Sequence, residues 1–180
     1  MAALSPNQVL ITNEVSQCVE EYNLDTGEMS PFAAACNGIA GSSHTGHRLN
    51  DVSLNFPIGV LYDGGQKVYV STQLSNTILS IDATTDQSGV LLSGIWRPRL
   101  LGYGMNSDIV YVTLNNGFGA IKDGSVEYII GTSGQSTGKT IGNISTTQLL
   151  YPSAFVEVDN GTWLVADRSN HRWEIIPTVN

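Results

Sequence analysis

Four short segments of similar sequence recur along the chain, and this recurrence constrains the possible fold more than any other feature. Each segment is rich in β-branched and aromatic residues and is bounded by turn residues, as a buried strand requires. The segments cover residues 9–13, 68–72, 110–114 and 163–167. Their matching positions, Ile11, Val70, Val112 and Val165, are 59, 42 and 53 residues apart. The chain is therefore expected to repeat one structural unit four times.

Each segment is followed by a polar turn and a second apolar run, and in the first three units by a third run. A further strand precedes the segment, and in three units it starts beside a proline, namely Pro57, Pro98 or Pro152. Proline suits the first residue of a strand because its missing N–H falls outside the hydrogen-bonded ladder. A four-stranded unit repeated every 40 to 50 residues or so is typical of a β-propeller.

We therefore predict an all-β protein, a β-propeller of four-stranded antiparallel blades with about four blades in a single domain. The expected blades cover approximately residues 1–36, 57–93, 98–131 and 152–180. Roughly 15 of the 16 strands that four such blades need can be recognised, because the last unit stops after its third strand. A Greek-key sandwich is the alternative, but it does not explain the repeated prolines.

Residues 167–173, Asp-Arg-Ser-Asn-His-Arg-Trp, resemble the Asn-His-containing motif of NHL repeats, which joins the second and third strands of a blade. The second unit keeps Ser75 and Asn76, with Thr77 in place of the histidine. NHL propellers usually have six blades, so the resemblance implies that about two blades are missing. The chain would then be a piece of a longer one, a small closed ring, or a half-ring that pairs. NHL propellers serve binding proteins and enzymes alike, so the resemblance implies a fold and not a chemistry.

Two cysteines, Cys18 and Cys36, flank the turn at residues 25–27 almost symmetrically. The predicted hairpin places them nearly opposite each other, which favours a disulfide, and two buried thiols are the alternative. A structural disulfide indicates an oxidising compartment, so we expect an extracellular protein. Residues 1–8 have no signal-peptide features, and we expect that a signal peptide was removed or never cloned.

Two glycosylation sequons agree with export. They begin at Asn143, in a predicted long loop, and at Asn160, where an Asn-Gly pair is also explained by a tight hairpin turn.

The formal net charge of -8 argues against nucleic-acid partners, which select a positive surface. Charged residues make up only 13% of the chain, which also disfavours a helical bundle. No apolar run approaches the roughly 20 residues that a membrane-spanning helix needs.

In a propeller, the loops between blades and the turns after each second strand lie on one face. We expect this face to carry the binding candidates Trp96, Arg97, Arg99 and Arg168, since tryptophan and arginine dominate protein interfaces. Trp96 has an alternative role as an aromatic plug between two blades.

Metal binding is a weaker hypothesis. His44, His47, His171 and Asp167 would form a zinc site only if they converged, as in the NHL-related peptide-amidating lyases. Loop histidines in contact with solvent are the favoured alternative. The calcium-binding lactonase propellers suggest a second set at the starts of equivalent turns, namely Glu14, Asn115 and Asp167, with Gln73 replacing an acid.

The sequence therefore predicts an extracellular binding or scaffolding module that binds a protein or glycan partner without a cofactor. The alternatives are a propeller enzyme that depends on zinc or calcium, and self-assembly into a homo-oligomer through open propeller edges.

Overall fold

The chain is all-β in a computed structural model that describes residues 1–104, 110–113, 118–122, 125–130, 148–159 and 162–177. Its strands, in chain order, are β1 (Ala2–Ser5), β2 (Gln8–Asn13), β3 (Cys18–Asn23), β4 (Met29–Ala33), β5 (Gly46–His47), β6 (Pro57–Tyr62), β7 (Lys67–Thr72), β8 (Thr77–Asp82), β9 (Gln87–Ser93), β10 (Leu101–Tyr103), β11 (Val110–Thr113), β12 (Phe118–Lys122), β13 (Ser125–Ile130), β14 (Pro152–Asp159), β15 (Thr162–Asp167) and β16 (Arg172–Pro177).

These strands form four antiparallel sheets in which, apart from β5, neighbouring strands follow one another in the chain. Blade 1 is the sheet β1-β2-β3-β4, blade 2 is β6-β7-β8-β9, and blade 3 is β10-β11-β12-β13. Blade 4 consists of β14-β15-β16 among the described residues. The predicted all-β class and its four-stranded antiparallel sheets are confirmed.

A fifth strand on blade 2 was not predicted. The two-residue β5 lies inside the linker between blades 1 and 2 and pairs with the start of β9, with Gly46 opposite Ser88 and His47 opposite Gln87. The sequence predicts a loop here, because two residues are too few to show an alternating pattern. As a result, part of the linker covers the outer edge of blade 2.

The chain divides into two compact units, Met1–Pro98 and Arg99–Asn180. In the first unit, blades 1 and 2 share one apolar core that also takes in Val52 and Leu54 of the linker. Arg48 of the linker packs against this core. Its guanidinium lies 4.3 Å from the centre of the Phe32 ring, and its Nε forms an ion pair with Asp86 at 2.5 Å.

The second unit has its own core. Trp163, Val165 and Ile176 of blade 4 are almost completely buried and cluster with Leu149 and with Ala120 of blade 3. The repeats did not predict this division into units.

Two local conformations repeat from blade to blade. The residue before the third strand has a positive φ in blades 1, 2 and 4, with values of 57° at Gln17, 54° at Asn76 and 56° at His171. The residue before each predicted proline start also has a positive φ; these residues are Phe56, Arg97 and Tyr151. Pro57 and Pro152 open β6 and β14 as predicted, whereas β10 begins at Leu101, three residues after Pro98.

These conformations correct the alignment of the motif. Since Asn76 and His171 occupy the same left-handed position, Asn76 is the counterpart of the motif histidine, and Thr77 is not. The strand that precedes each turn ends at Asn13, Thr72 or Asp167.

Candidate functional site: the loop face of the first unit

Two turns and two linkers meet at one end of the first unit. Gly38 of the linker between blades donates its N–H to the carbonyl of Ser16 at 3.0 Å. The hydroxyls of Ser42 and Ser75 are 3.3 Å apart, and the N–H of Ile95 donates to the carbonyl of Asn76 at 3.2 Å. We call this end the loop face; it consists of the turns 14–17 and 73–76 and the linker segments 37–43 and 94–97.

A repeated side-chain contact fixes the loop face. Oε1 of Gln17 accepts a hydrogen bond from the N–H of Phe56 at 2.7 Å, and Oδ1 of Asn76 accepts one from the N–H of Arg97 at 3.0 Å. In both contacts the acceptor is a turn residue with a positive φ, Gln17 or Asn76. The donor is the residue before the next proline, Phe56 or Arg97, and it also has a positive φ. The turns of the loop face are therefore tied to the segments that open the following blades.

Four large apolar side chains point away from this framework. Val15 is 80% exposed, Ile39 is 69%, Leu74 is 51% and Trp96 is 48%. Scattered exposed apolar residues are normal, but four on one set of connected turns and linkers are typical of an interaction site. The sequence around Val15 and Leu74 shows no pattern that predicts an exposed apolar group, because these two turn residues belong to one face only in the folded chain.

Trp96 and Arg97 form a pair on this face. The Arg97 guanidinium lies 5.5 Å from the centre of the Trp96 ring, within the range of a cation–π interaction. The preceding residue, Ile95, is 3% exposed and anchors the segment. Trp96 and Arg97 therefore project from a fixed backbone, as residues of an interface hot spot do.

Two cavities adjoin the turn between β2 and β3. A cavity of about 190 Å³ lies between Gln17 and the linker, and its apolar lining includes Ala34, Ile39, Leu49 and Val52. A larger cavity of about 400 Å³ lies between β2 and the start of β6.

The larger cavity is more polar. Its lining includes Thr12, Asn13, Glu14, Glu20 and Pro57, and the Asn13 amide donates to Oε2 of Glu20 at 2.9 Å. A small apolar side chain fits the first cavity, and hydroxyl or ammonium donors fit the second.

The predicted pairing of Cys18 with Cys36 is present as a disulfide, with the two Cα atoms 4.9 Å apart. It joins the start of β3 to the segment just past β4 and lies next to the linker of the loop face. Among the described residues, a possible metal-binding cluster of His, Cys, Asp or Glu side chains is formed by Cys18, Glu20 and Cys36. Both sulfur atoms belong to the disulfide, so they offer no thiolate to a metal.

The candidate zinc residues His44 and His47 are not on the turns of the loop face. The pairing of β5 with β9 places them beside the β8–β9 turn, where the carbonyl of His44 accepts a hydrogen bond from the Ser88 hydroxyl at 2.9 Å. Burial lowers the pKa of the His44 imidazole, and its Nε2 has no hydrogen-bond partner among the described residues.

Asp167 has structural partners in the second unit. It is completely buried, Oδ1 accepts from the N–H of Leu150 at 2.7 Å, and Oδ2 accepts from Asn170 at 2.6 Å and from Arg172 at 3.1 Å. These bonds close the motif turn, which contains the short 3₁₀ helix Arg168–Asn170.

This geometry also corrects the calcium set. Asp167 is equivalent to Asn13 and Thr72 at the strand ends, and not to Glu14 and Gln73 one residue later. Asn115 lies outside the described residues, as do both sequon residues, Asn143 and Asn160.

The remaining candidates are also in the second unit. His171 and Arg168 are exposed, and Arg99 is half-buried. The exposed basic candidate that the structure places on the loop face of the first unit is therefore Arg97.

Comparison with known proteins shows a fold and no family. No protein-family model matches the chain, and no curated protein sequence matches it. Similar solved structures include an auxiliary nutrient binding protein from Bacteroides thetaiotaomicron, with 14% identity and a TM-score of 0.66 over 94% of this chain and 45% of that one. A streptogramin B lyase has 9% identity and a TM-score of 0.62 over 98% of this chain and 53% of that one.

A nidogen–laminin complex is similar as well, with 14% identity and a TM-score of 0.56 over 95% of this chain and 76% of that one. The chain spans about half the length of the nutrient binding protein and the lyase. Together with the four antiparallel sheets, these similarities define the chain as a set of β-propeller blades. No helix among the described residues is long and apolar enough to cross a membrane.

Proposed function

We propose that this chain is an NHL-like propeller segment that works as an extracellular binding module, with the loop face of the first unit as its binding surface. The observation that carries the proposal is the group of four exposed apolar side chains on turns and linkers that hydrogen bonds hold in place. Preorganised apolar and aromatic groups bind with little loss of conformational entropy.

Several features favour a protein partner over a glycan. The exposed Val15, Ile39 and Leu74 side chains are aliphatic, and aliphatic side chains contribute little to sugar recognition. A sugar ring stacks on an aromatic ring instead, and on this face Trp96 offers one. The cavity beside Ile39 also has Leu49 and Val52 in its lining, and these apolar side chains suit an aliphatic anchor of a protein. A glycan is the second candidate, because the larger cavity offers the carboxylates Glu14 and Glu20 to hydroxyl donors.

The proposed location follows from the disulfide. A bond between Cys18 and Cys36 persists in an oxidising compartment and is reduced in most cytosols. The two similar solved structures described as a nutrient binding protein and as a nidogen–laminin complex are named for binding and not for catalysis. The alternative of a metal-dependent propeller enzyme rests on His44, His47, His171 and Asp167, and metal analysis of the purified protein tests it.

The binding proposal is tested with a panel of extracellular proteins and immobilised glycans, screened against the chain and against Trp96→Ala. We expect saturable binding to a protein ligand, weakened at least tenfold or so by Trp96→Ala, since loss of an interface tryptophan costs about 2 kcal/mol or more.

Trp173→Ala is the matched control, because Trp173 is 68% exposed but lies on blade 4 in the second unit. Equal weakening by both substitutions, or no ligand in either class, would contradict the proposal.

A further inference from the structure

Glu20 lies beside the disulfide, on the same side of blade 1. Cys18 and Glu20 are two positions apart on β3, so their side chains point to one side of the sheet. The sulfur atoms of Cys18 and Cys36 and a carboxylate oxygen of Glu20 all lie within 4.8 Å of one another. A disulfide has no S–H group to donate, so it gives this carboxylate no hydrogen bond.

The same three side chains form a ligand set when the cysteines are reduced. Cysteine enters a chain as a thiol and the disulfide forms by later oxidation, so every copy passes through the reduced state. Thiolates and carboxylates are zinc ligands, at about 2.3 Å for sulfur and roughly 2.0–2.2 Å for oxygen.

The backbone geometry suits this ligand set. At a tetrahedral angle, two sulfur atoms on one zinc ion are roughly 3.8 Å apart. The Cα atoms of Cys18 and Cys36 are 4.9 Å apart, and rotation of the two side chains about their Cα–Cβ bonds reaches that separation with the backbone in place. Reduction therefore leaves both sulfur atoms within reach of one metal ion that Glu20 also contacts.

Glu20 is held in place by the neighbouring turn. Its Oε2 accepts a hydrogen bond from the Asn13 amide at 2.9 Å, and Oδ1 of Asn13 accepts from the N–H groups of Val15 and Ser16 at 3.1 and 2.9 Å. Hydrogen bonds of this kind orient the carboxylates that ligate metals. Glu20 also lines the cavity of about 400 Å³, which gives a metal ion an entry path and leaves room for a water molecule as fourth ligand.

We propose that Cys18, Cys36 and Glu20 bind one Zn²⁺ ion when the disulfide is reduced. Metal and disulfide are then alternatives at one position. On oxidation, the two thiolates give two electrons to a disulfide of another molecule, the bond between Cys18 and Cys36 forms, the oxidant breaks into two thiolates, and Zn²⁺ leaves. In the reverse direction a thiol reductant supplies the two electrons, and metal binding displaces the protons of the two cysteine thiols.

Both states hold the start of the linker on β3. Cys36 directly precedes the loop-face segment 37–43, and either the disulfide or the metal joins it to Cys18. Zinc therefore keeps this attachment where the disulfide is reduced. The site does not depend on the binding function proposed for the loop face.

The test is a titration of Zn²⁺ into the full chain after reduction with a phosphine, which offers no competing thiol. The phosphine takes up the oxygen of one water molecule and leaves two cysteine thiols. We expect one Zn²⁺ per reduced chain and none per oxidised chain. Co²⁺ in place of Zn²⁺ should give the near-ultraviolet absorption of thiolate-to-metal charge transfer.

Glu20→Gln should raise the Zn²⁺ dissociation constant of the reduced chain at least tenfold or so, because a neutral amide is a poorer zinc ligand than a carboxylate. Glu21→Gln is the matched control, since Glu21 is the next residue of β3 and points to the opposite side of the sheet. This control should bind Zn²⁺ like the unchanged chain. Zn²⁺ should also raise the thermal unfolding midpoint of the reduced chain, because the folded state holds the metal.

Four results would each overturn the proposal. One Zn²⁺ for two reduced chains would mean that thiolates of two copies share the metal. A lowered unfolding midpoint would mean that the unfolded chain binds it. Equal affinities of Glu20→Gln and Glu21→Gln would remove Glu20 from the site, and absence of binding to the reduced chain would remove the site altogether.

Discussion

Asn76 combines two roles at a single residue. Its backbone has a φ of 54°, which asparagine tolerates better than most residues, and its side chain holds the N–H of Arg97. The same two roles fall to Gln17 in blade 1. The loop face therefore depends on these residues for its shape, although neither belongs to its exposed apolar group.

Substitutions at Asn76 should separate the two roles. Asn76→Gly keeps the left-handed backbone but removes the hydrogen bond, and we expect it to lower the free energy of unfolding by about 1 kcal/mol. Asn76→Ala also introduces backbone strain and should cost about 1 kcal/mol more. Chemical denaturation measures both values, and equal stability of the two variants would show that the left-handed conformation contributes nothing.

Glu174 is a buried carboxylate next to a second one. Its pKa is raised, first by burial and then by the charge of Asp167, while Arg172 acts in the opposite direction. The side chains of Glu174 and Asp167 are 3% and 0% exposed, and both contact the Arg172 guanidinium. One arginine therefore serves two carboxylates.

This arrangement predicts the pH dependence of the second unit. Because the folded pKa of Glu174 is higher than its value of 4.5 when unfolded, the folded state holds the proton more tightly, and stability falls as pH rises above 4.5. Glu174→Gln should flatten this decline, as followed by tryptophan fluorescence, to which the buried Trp163 contributes. Glu28→Gln, at an exposed position of the first unit, is the control. An unchanged decline in Glu174→Gln would contradict this account.

Among the structural elements, the disulfide and the linker determine how blade 1 joins blade 2. The bond between Cys18 and Cys36 spans 18 positions and fixes the start of the linker on β3. From there the linker forms β5 on blade 2 and contributes Val52 and Leu54 to the shared core. The linker is thus an integral part of the first unit.

Removing the disulfide should destabilise the first unit. For a loop of this length, the double variant Cys18→Ala/Cys36→Ala should lose about 3 kcal/mol of unfolding free energy. Chemical denaturation of the oxidised chain and of the variant gives the difference. A loss below about 1 kcal/mol would mean that the linker holds its position without the bond.

The sequence predicts elements of strong periodicity and misses those that tertiary contacts create. The four strand repeats, the proline starts at Pro57 and Pro152, and the cysteine pair all follow from local pattern and spacing. The strand β5 does not, because its formation depends on the free edge of β9. The position of His44 and His47 beside the β8–β9 turn depends on the same pairing, so it cannot be predicted from local pattern.

At the scale of the whole molecule, the two units present different surfaces. The first unit carries a loop face of exposed apolar side chains on hydrogen-bonded turns, and the second carries a sheet face from which Trp173 and Ile175 project. The sequence predicts a loop face that carries Trp96 and Arg97. It does not predict the other exposed apolar side chains on that face or the exposed face of blade 4, because both depend on which side of a strand or turn faces solvent. The composition argues only against a helical bundle, since few charged residues are available for helical surfaces, and the all-β class follows from the repeated strand pattern.

The loop face of the first unit is the proposed binding surface. The most direct measurement is hydrogen exchange of the backbone amides with and without a ligand from the binding panel. We expect ligand-dependent protection in residues 14–17, 37–43, 73–76 and 94–97, with blade 4 unchanged. Protection confined to other segments, with these four unaffected, would contradict it.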